Sequence, residues 1–313
     1  MPDQARSALV MGEALVDLVI DPRQNSSEPV AVPGGSPANV AIAISRLGIP
    51  VDLVAWFGKD LYGDMMRGHL EESNVNVASG TDLAPFTPTA EAHLDQNGAA
   101  TYTFNLEWDP PAPIDIPDRA AVVHTGSIGA VLQPGTDAVL EAFIRAREQA
   151  LTTYDPNARP SLMGDVDVAR PIIESFVSNS DVVKVSDEDL GWLYPGTPAV
   201  DAARAWTERF QVPLVVVTRG KEGPIAWTSS GVEVSVIPAE VKVIDTVGAG
   251  DTFMGGLIDA LWRRDLVGRG AGEAISLLSE EQLAEIIEDA SRMADIVVQR
   301  RGANPPWAHE IGR

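Results

Sequence analysis

The chain contains no cysteine. Disulfide scaffolding, thiol nucleophiles and zinc–thiolate sites are therefore all excluded. Basic residues are scarce as well: 23 lysines and arginines face 45 aspartates and glutamates, a formal net charge of -22. So acidic a surface repels phosphodiester backbones and anionic membranes, and neither nucleic acid nor membrane is expected as a partner. A nucleotide can still bind, provided backbone dipoles, a divalent cation and a few basic side chains are gathered locally. Aromatic residues make up only 6%, which leaves few rings to stack on a nucleoside. No apolar run approaches the length of a membrane span, and the N-terminus lacks a basic stretch leading into a long apolar one. A cytoplasmic protein is the expectation. The four histidines, His69, His93, His124 and His309, show no metal-ligand spacing and read as structural.

What is present is ample apolar content, 45% of 313 residues, enough for a core without staples. Short apolar runs alternate with helical patterns, the signature of a parallel sheet with crossover helices. Strands are expected over Ala8–Met11, Leu53–Phe57, Val122–His124, Thr152–Tyr154, Val182–Lys184 and Leu214–Thr218. Helices are expected over Ser36–Leu47, Leu61–Ser73, Thr136–Gln149, Arg170–Ser178, Pro198–Arg209, Thr252–Trp262 and Glu280–Arg300. No long linker or internal repeat divides the chain, so residues 1–313 read as one main domain. Two segments break the rhythm, about 15–32 and about 88–107, and both look like strands and hairpins. Asn97-Gly98 between alternating runs is a turn signal. Together they would make a small separate sheet, serving either as a lid or as surface decoration.

The run Asp245-Thr-Val-Gly-Ala-Gly-Asp251-Thr-Phe-Met-Gly-Gly256 concentrates the chemistry. Gly248, Ala249 and Gly250 are small enough for a sharp turn that aims backbone N–H groups at a ligand. The helix that follows leaves its first-turn N–H groups without intrahelical partners, and its dipole favours negative charge. Asp251 stands where this helix begins. It would serve either as a plain cap or as a proton acceptor beside a phosphate. The loop lacks the Lys-Ser/Thr ending of a Walker A motif, and it lies too late in the chain for a dinucleotide fingerprint. A kinase that phosphorylates a hydroxyl fits better.

A second constellation lies near the N-terminus. Gly12-Glu-Ala-Leu-Val-Asp17 is followed by Pro33-Gly34-Gly35-Ser-Pro-Ala-Asn39. The glycine pair permits close backbone approach to a small polar ligand. Asn39 offers a donor and an acceptor suited to vicinal hydroxyls, and Asp17 is acceptor-only. Taken singly, Asp17 also reads as a turn acid and Asn39 as a helix-start residue.

The two glycine motifs and their order resemble the ribokinase-like (PfkB) family of carbohydrate kinases over nearly the whole length. Gly12-Glu-Ala-Leu-Val-Asp, His124-Thr-Gly-Ser-Ile and Lys184-Val-Ser-Asp-Glu look most like its fructokinase branch. The resemblance implies a three-layer α/β/α fold, a mostly parallel central sheet and a small β-sheet lid over the sugar. It implies transfer of the γ-phosphoryl group of Mg-ATP to a primary hydroxyl of a small sugar, fructose first. 2-Keto-3-deoxygluconate, ribose and a nucleoside are the alternatives within the family, and a non-catalytic sensing protein is the one outside it. Asp251 would match the catalytic base, with Gly248, Ala249 and Gly250 as the anion hole. Asp17, Gly34, Gly35 and Asn39 would match sugar-binding positions, with Phe104 closing over the ring. Thr218, Gly220 and Gly223 would line the nucleotide. Either Glu188 or Asp189 would organise the waters of Mg²⁺, or the same stretch is simply a capping box opening a helix. Arg159, after Asp155-Pro-Asn157, would meet a phosphate or pair with a surface acid. Backbone oxygens of Asp245 and Val247 would hold K⁺. Relatives are commonly dimers, and a homodimer is the expectation here.

Overall fold

The computed structural model describes residues 5–20, 29–94 and 100–313. In chain order its strands are β1 Ser7–Met11, β2 Leu15–Ile20, β3 Val30–Gly34, β4 Val51–Val54, β5 Val75–Val77, β6 Thr89–Leu94, β7 Ala100–Asn105, β8 Ala120–Gly126, β9 Leu151–Asp155, β10 Val182–Ser186, β11 Leu214–Thr218, β12 Ile225–Thr228 and β13 Glu233–Ser235. The helices are α1 Ser36–Arg46, α2 Leu61–Glu72, α3 Gly135–Ala146, α4 Pro160–Met163, α5 Val166–Ser178, α6 Asp187–Leu193, α7 Ala199–Phe210, α8 Ala249–Arg263, α9 Ala271–Ser276 and α10 Glu280–Val297.

Among the described residues the central sheet runs β13-β12-β11-β10-β9-β8-β1-β4-β5. It is parallel from β5 to β11, and the β11-β12-β13 edge is antiparallel. Its parallel strands are apolar on both faces, as sheets covered by helices on both sides must be. One helical layer, α1, α8 and α10, packs on one face around Ile42, Leu257 and Ile286. The other, α3, α5, α6 and α7, covers Leu9, Val123 and Val215 on the opposite face. The chain reverses direction across the sheet at β1, whose neighbours are β4 on one side and β8 on the other. A crevice opens at such a switch point, outside the carboxyl ends of the strands. A smaller separate sheet, β3-β2-β6-β7, is built from the two segments that break the α/β rhythm. The Asn97-Gly98 turn and residues 21–28 lie outside the described residues.

Several element boundaries differ from the sequence reading. The strand expected over Leu53–Phe57 ends at Val54. Beyond it the backbone leaves the sheet because Thr81 takes it over: Ala55 N–H donates to the Thr81 hydroxyl and Phe57 N–H to its carbonyl. The last helix stops at Val297, because the N–H groups of Ile244 and Asp245 both claim the Val298 carbonyl. Strands β5, β12 and β13, of three or four residues each, carry too little periodicity to be read from sequence. Among the described residues no helix is long and apolar enough to cross a membrane.

Candidate active site

Asp251 lies in the first turn of α8 and is 6% exposed. Gly248 precedes the helix at φ +74, and a side chain there would run into Ala303 at 2.5 Å. Only glycine satisfies both conditions. Ala249 N–H turns back to the Thr246 carbonyl at 3.2 Å, whereas the N–H groups of Gly250 and Asp251 have no acceptor among the described residues. A Cβ on Gly250 would sit 2.9 Å from Lys184 Nζ, so the bare backbone lets an ammonium stand against the turn.

Three donors converge on the Asp251 carboxylate from two other parts of the chain. The Ser36 hydroxyl donates to Oδ1 at 2.7 Å, Asn39 Nδ2 to Oδ2 at 2.8 Å and Asn157 Nδ2 to Oδ1 at 3.3 Å. Burial pushes the Asp251 carboxyl above its usual range, opposed by the Ser36 and Asn39 hydrogen bonds and by the charges of Lys184 and Arg159. Asn39, read as a sugar ligand, thus spends its amide on Asp251.

Lys184 is a charged residue inside a buried strand, and it finds its partner on the next one: Nζ donates to Asp155 Oδ2 at 2.7 Å. Burial raises Asp155 to about 6 against the pull of the Lys184 ammonium. Asp189 does not face open space. Its Oδ1 accepts Ala158 N–H and its Oδ2 accepts Ser186 N–H, closing a capping box with the Ser186 hydroxyl. The box ties the start of α6 to the loop after β9, while Glu188 is exposed on the same turn. Arg159 is exposed and folds onto that loop, donating to the carbonyls of Asn157 and Ala158 and to the Asn157 side chain.

On the sugar side Gly34 sits under Asp17, where a Cβ would come within 2.6 Å of Oδ2. Gly35, at φ +104, passes so close to the Glu13 carbonyl that a Cβ would lie 2.5 Å from it. Burial raises the Asp17 carboxyl, and the positive charge of Arg159 opposes this. Phe104, on β7, is half-buried against the apolar cluster containing Leu15, Ala90 and Trp108. A small cavity of about 10 Å³ nearby is lined by Glu13, Trp56, Glu107 and Trp108, among others.

On the nucleotide side Thr218 ends β11 beside Ser186 of β10, and Gly220 to Glu222 form a short turn. A Cβ on Gly223 would meet the Val236 carbonyl. The Asp245 side chain accepts N–H from Val247 and Gly302, which holds its carboxyl below the usual range. Among the described residues no cluster of three or more His, Asp or Glu side chains could hold a metal ion. The donors suited to a cation here are therefore backbone carbonyls and single carboxylates, which fit a hard, largely hydrated ion.

The sequence reading expects Asp251, the glycine turn, Asp17 and Gly34-Gly35 in one site. It assigned no role to Ser36, Glu13 or Lys184, although each lies in a quoted motif. A lysine within Val-Val-Lys-Val and a glutamate directly after an apolar strand are the available signals.

The profile of the pfkB family carbohydrate kinases matches residues 5–310. A probable fructokinase-4 of Arabidopsis thaliana is 33% identical over 311 residues, covering 94% of this chain and 91% of that protein. A fructokinase of Klebsiella pneumoniae is 35% identical over 264 residues, covering 80% and 83%. The crystal structure of fructokinase with bound ATP from Xylella fastidiosa superposes with a TM-score of 0.79 at 25% identity, covering 95% of this chain and 93% of that one. A match that runs from residue 5 to residue 310 takes in both sheets and the whole crevice, and the chain belongs to the pfkB family of carbohydrate kinases, phosphotransferases that act on an alcohol.

Proposed function

We propose that the protein is an ATP-dependent fructokinase that phosphorylates a primary hydroxyl of the sugar. The reading rests on Asp251, a buried carboxylate in the first turn of a helix beside N–H groups with no acceptor among the described residues, in a chain similar to proteins named fructokinase. The sugar sits against Asp17, Gly34, Gly35 and Asn39, with Phe104 on its far side. Glu107 in the adjoining cavity wall favours a neutral polyol over a sugar acid.

Asp251 accepts the hydroxyl proton as the sugar oxygen bonds to the γ-phosphorus and the bond to the ADP oxygen breaks. Burial makes it a better proton acceptor, while its donors and the Lys184 charge favour its ionised form. The turn of Gly248, Ala249 and Gly250 presents N–H groups to the equatorial oxygens of the transferred group, chiefly those of Gly250 and Asp251. Thr218, Gly220 and Gly223 line the nucleotide. Glu188, exposed where Asp189 is closed into the capping box, would order the waters of the Mg²⁺ that accompanies ATP, whose positive charge would offset that of the phosphates. Backbone carbonyls of Asp245 and Val247 would hold K⁺. The small sheet acts as a lid that excludes competing water. Its edge strand β3 leaves Val30 50% and Val32 43% exposed, which suits a homodimer, and the reading implies a cytoplasmic location near the ATP pool.

ADP release from Mg-ATP, measured with fructose, ribose, 2-keto-3-deoxygluconate, glucose and adenosine with and without K⁺, tests the reading. Turnover on fructose, stimulated by K⁺, is expected. Turnover on a different member replaces the substrate, and silence on all five with ATP bound overturns the proposal.

A further inference from the structure

Ser36 opens α1 and makes two hydrogen bonds with different ends of the crevice. Its N–H donates to Glu13 Oε1 at 3.3 Å, and its hydroxyl donates to Asp251 Oδ1 at 2.7 Å. Glu13 follows β1 at the switch point and is 6% exposed. Its other oxygen accepts Gly129 N–H at 2.9 Å, and the Ser127 side chain bonds the same carboxylate. The fit is tight, since a Cβ on Gly129 would lie 2.8 Å from Gly12 Cα and 3.0 Å from Glu13 Oε2. The Gly12-Glu13 and Thr125-Gly-Ser-Ile-Gly129 stretches, far apart in sequence, are thus clamped together around one buried carboxylate, and that carboxylate holds the N-terminus of α1.

We propose that Ser36 is the positioning residue of the base, with Glu13 as the anchor that fixes Ser36 against Asp251. The inference rests on the reading of Asp251 as the proton acceptor. Of the three donors to Asp251, Asn157 is the longest at 3.3 Å, and Asn39 lies at the sugar subsite, where hydroxyls compete for its amide. Ser36 makes the shortest of the three bonds, at 2.7 Å, while its own N–H is held by the Glu13 carboxylate. A donor to the charged form favours that form and fixes which oxygen faces the substrate. Other groups also act on Asp251: Asn39 from α1, Asn157 and Arg159 from the loop after β9, and Lys184 from β10, itself paired to Asp155. They are unchanged in a Ser36 variant, so any shift of the base's titration reports the hydroxyl.

The test is kcat and sugar KM as functions of pH for the parent, Ser36→Ala, Ser36→Thr, Glu13→Gln and Asp251→Asn, with thermal unfolding of each. For Ser36→Ala, kcat at neutral pH is expected to fall about tenfold, as for loss of a hydrogen bond to a charged group, with sugar KM changed far less. The acidic limb of its kcat profile moves to higher pH by about one unit, because the carboxylate has lost a donor. Ser36→Thr restores both, and Glu13→Gln lowers kcat several-fold without a matching change in KM. If Ser36→Ala does not fold, the profile is read on Ser36→Cys, which fills the space and donates weakly. A Ser36→Ala profile superposable on the parent's overturns the inference while Asp251→Asn remains inactive. An active Asp251→Asn removes the base assignment itself, and the inference with it.

Discussion

Asp251 carries its charge where burial opposes it, and what keeps that charge useful is a set of donors and cations with no other common purpose. Replacing it with Asn preserves the shape and most of the hydrogen-bonding capacity but removes the proton acceptor. Asp251→Asn is therefore expected to lower kcat by roughly 10²- to 10⁴-fold, the usual worth of a general base, with little change in sugar KM. Steady-state kinetics would show it, and an unchanged kcat would remove Asp251 from the mechanism. Glu13 presents the complementary case. Burial outweighs its hydrogen bonds and lifts its carboxyl from about 4.5 to about 7. In the window between those values the folded state holds a proton that the unfolded chain releases, so folding stability falls as pH rises through it. That contribution is fully present below about 4.5 and lost above about 7. Glu13→Gln carries no such proton. The stability of the parent relative to this variant is expected to decline by about 3 kcal/mol between the two limits. Urea denaturation at pH 4.5, 6 and 8 would measure the difference, and a flat difference would mean Glu13 titrates normally.

At the scale of elements, the crevice depends on how closely two helices approach. The donors Ser36 and Asn39 stand on the first turns of α1, and Asp251 stands on the first turn of α8. The helices can bring those turns together because Gly255 faces Ala43, where a Cβ would lie only 2.5 Å from the Ala43 methyl. Gly256 does the same for α10, where a Cβ would meet Met293 and Ala290. The second half of the Asp-Thr-Phe-Met-Gly-Gly run is thus a packing device that serves the first half. Helix propensity favours a larger residue at position 255 by about 0.5–1 kcal/mol, but the overlap with α1 cannot be relieved by rotating a side chain. Gly255→Val is expected to destabilise the fold by about 1–3 kcal/mol and to lower kcat as α1 is pushed away from Asp251. Chemical denaturation and kinetics on the same preparation would test both. A stable variant with normal kcat would show that the approach of α1 and α8 is not limiting.

At the scale of the whole molecule, a net charge of -22 confronts an anionic cosubstrate. Near Asp251 the positive charge is sparse: Lys184 is paired with Asp155, and Arg159 is exposed. Screening should therefore help the encounter with Mg-ATP and relieve self-repulsion in the fold. Raising tetramethylammonium chloride from roughly 0.02 to 0.2 M, which shortens the Debye length to below about 10 Å, is expected to raise both kcat/KM for Mg-ATP and the Tm. A cation this large keeps the effect apart from K⁺ binding. A fall in kcat/KM would mean that Lys184 and Arg159, rather than the acidic surface, govern the approach of ATP.

The alternating pattern of apolar runs and helices was enough to specify a parallel sheet between helical layers, because burial on both faces leaves continuous Val, Ile and Leu strands. The small edge strands were not legible, since three or four residues carry too few periods to stand out. Asp251 and its glycine turn were legible because the turn, the helix start and the carboxylate are neighbours in sequence and obey local rules. Their partners were not. Ser36 and Asn39 lie 215 and 212 residues away from Asp251, and Asn157 lies 94 away. Nothing in a local pattern ties a serine at a helix start to a carboxylate in another motif. The sequence alone determined the fold class and the residue types of the phosphate turn, because backbone sterics and periodic burial act over short range. Only the tertiary structure decided that Asp189 closes a capping box, that Lys184 pairs with Asp155, and that Glu13 reaches Asp251 through Ser36. Those contacts exist because helix packing and strand order bring distant turns to one edge of the sheet.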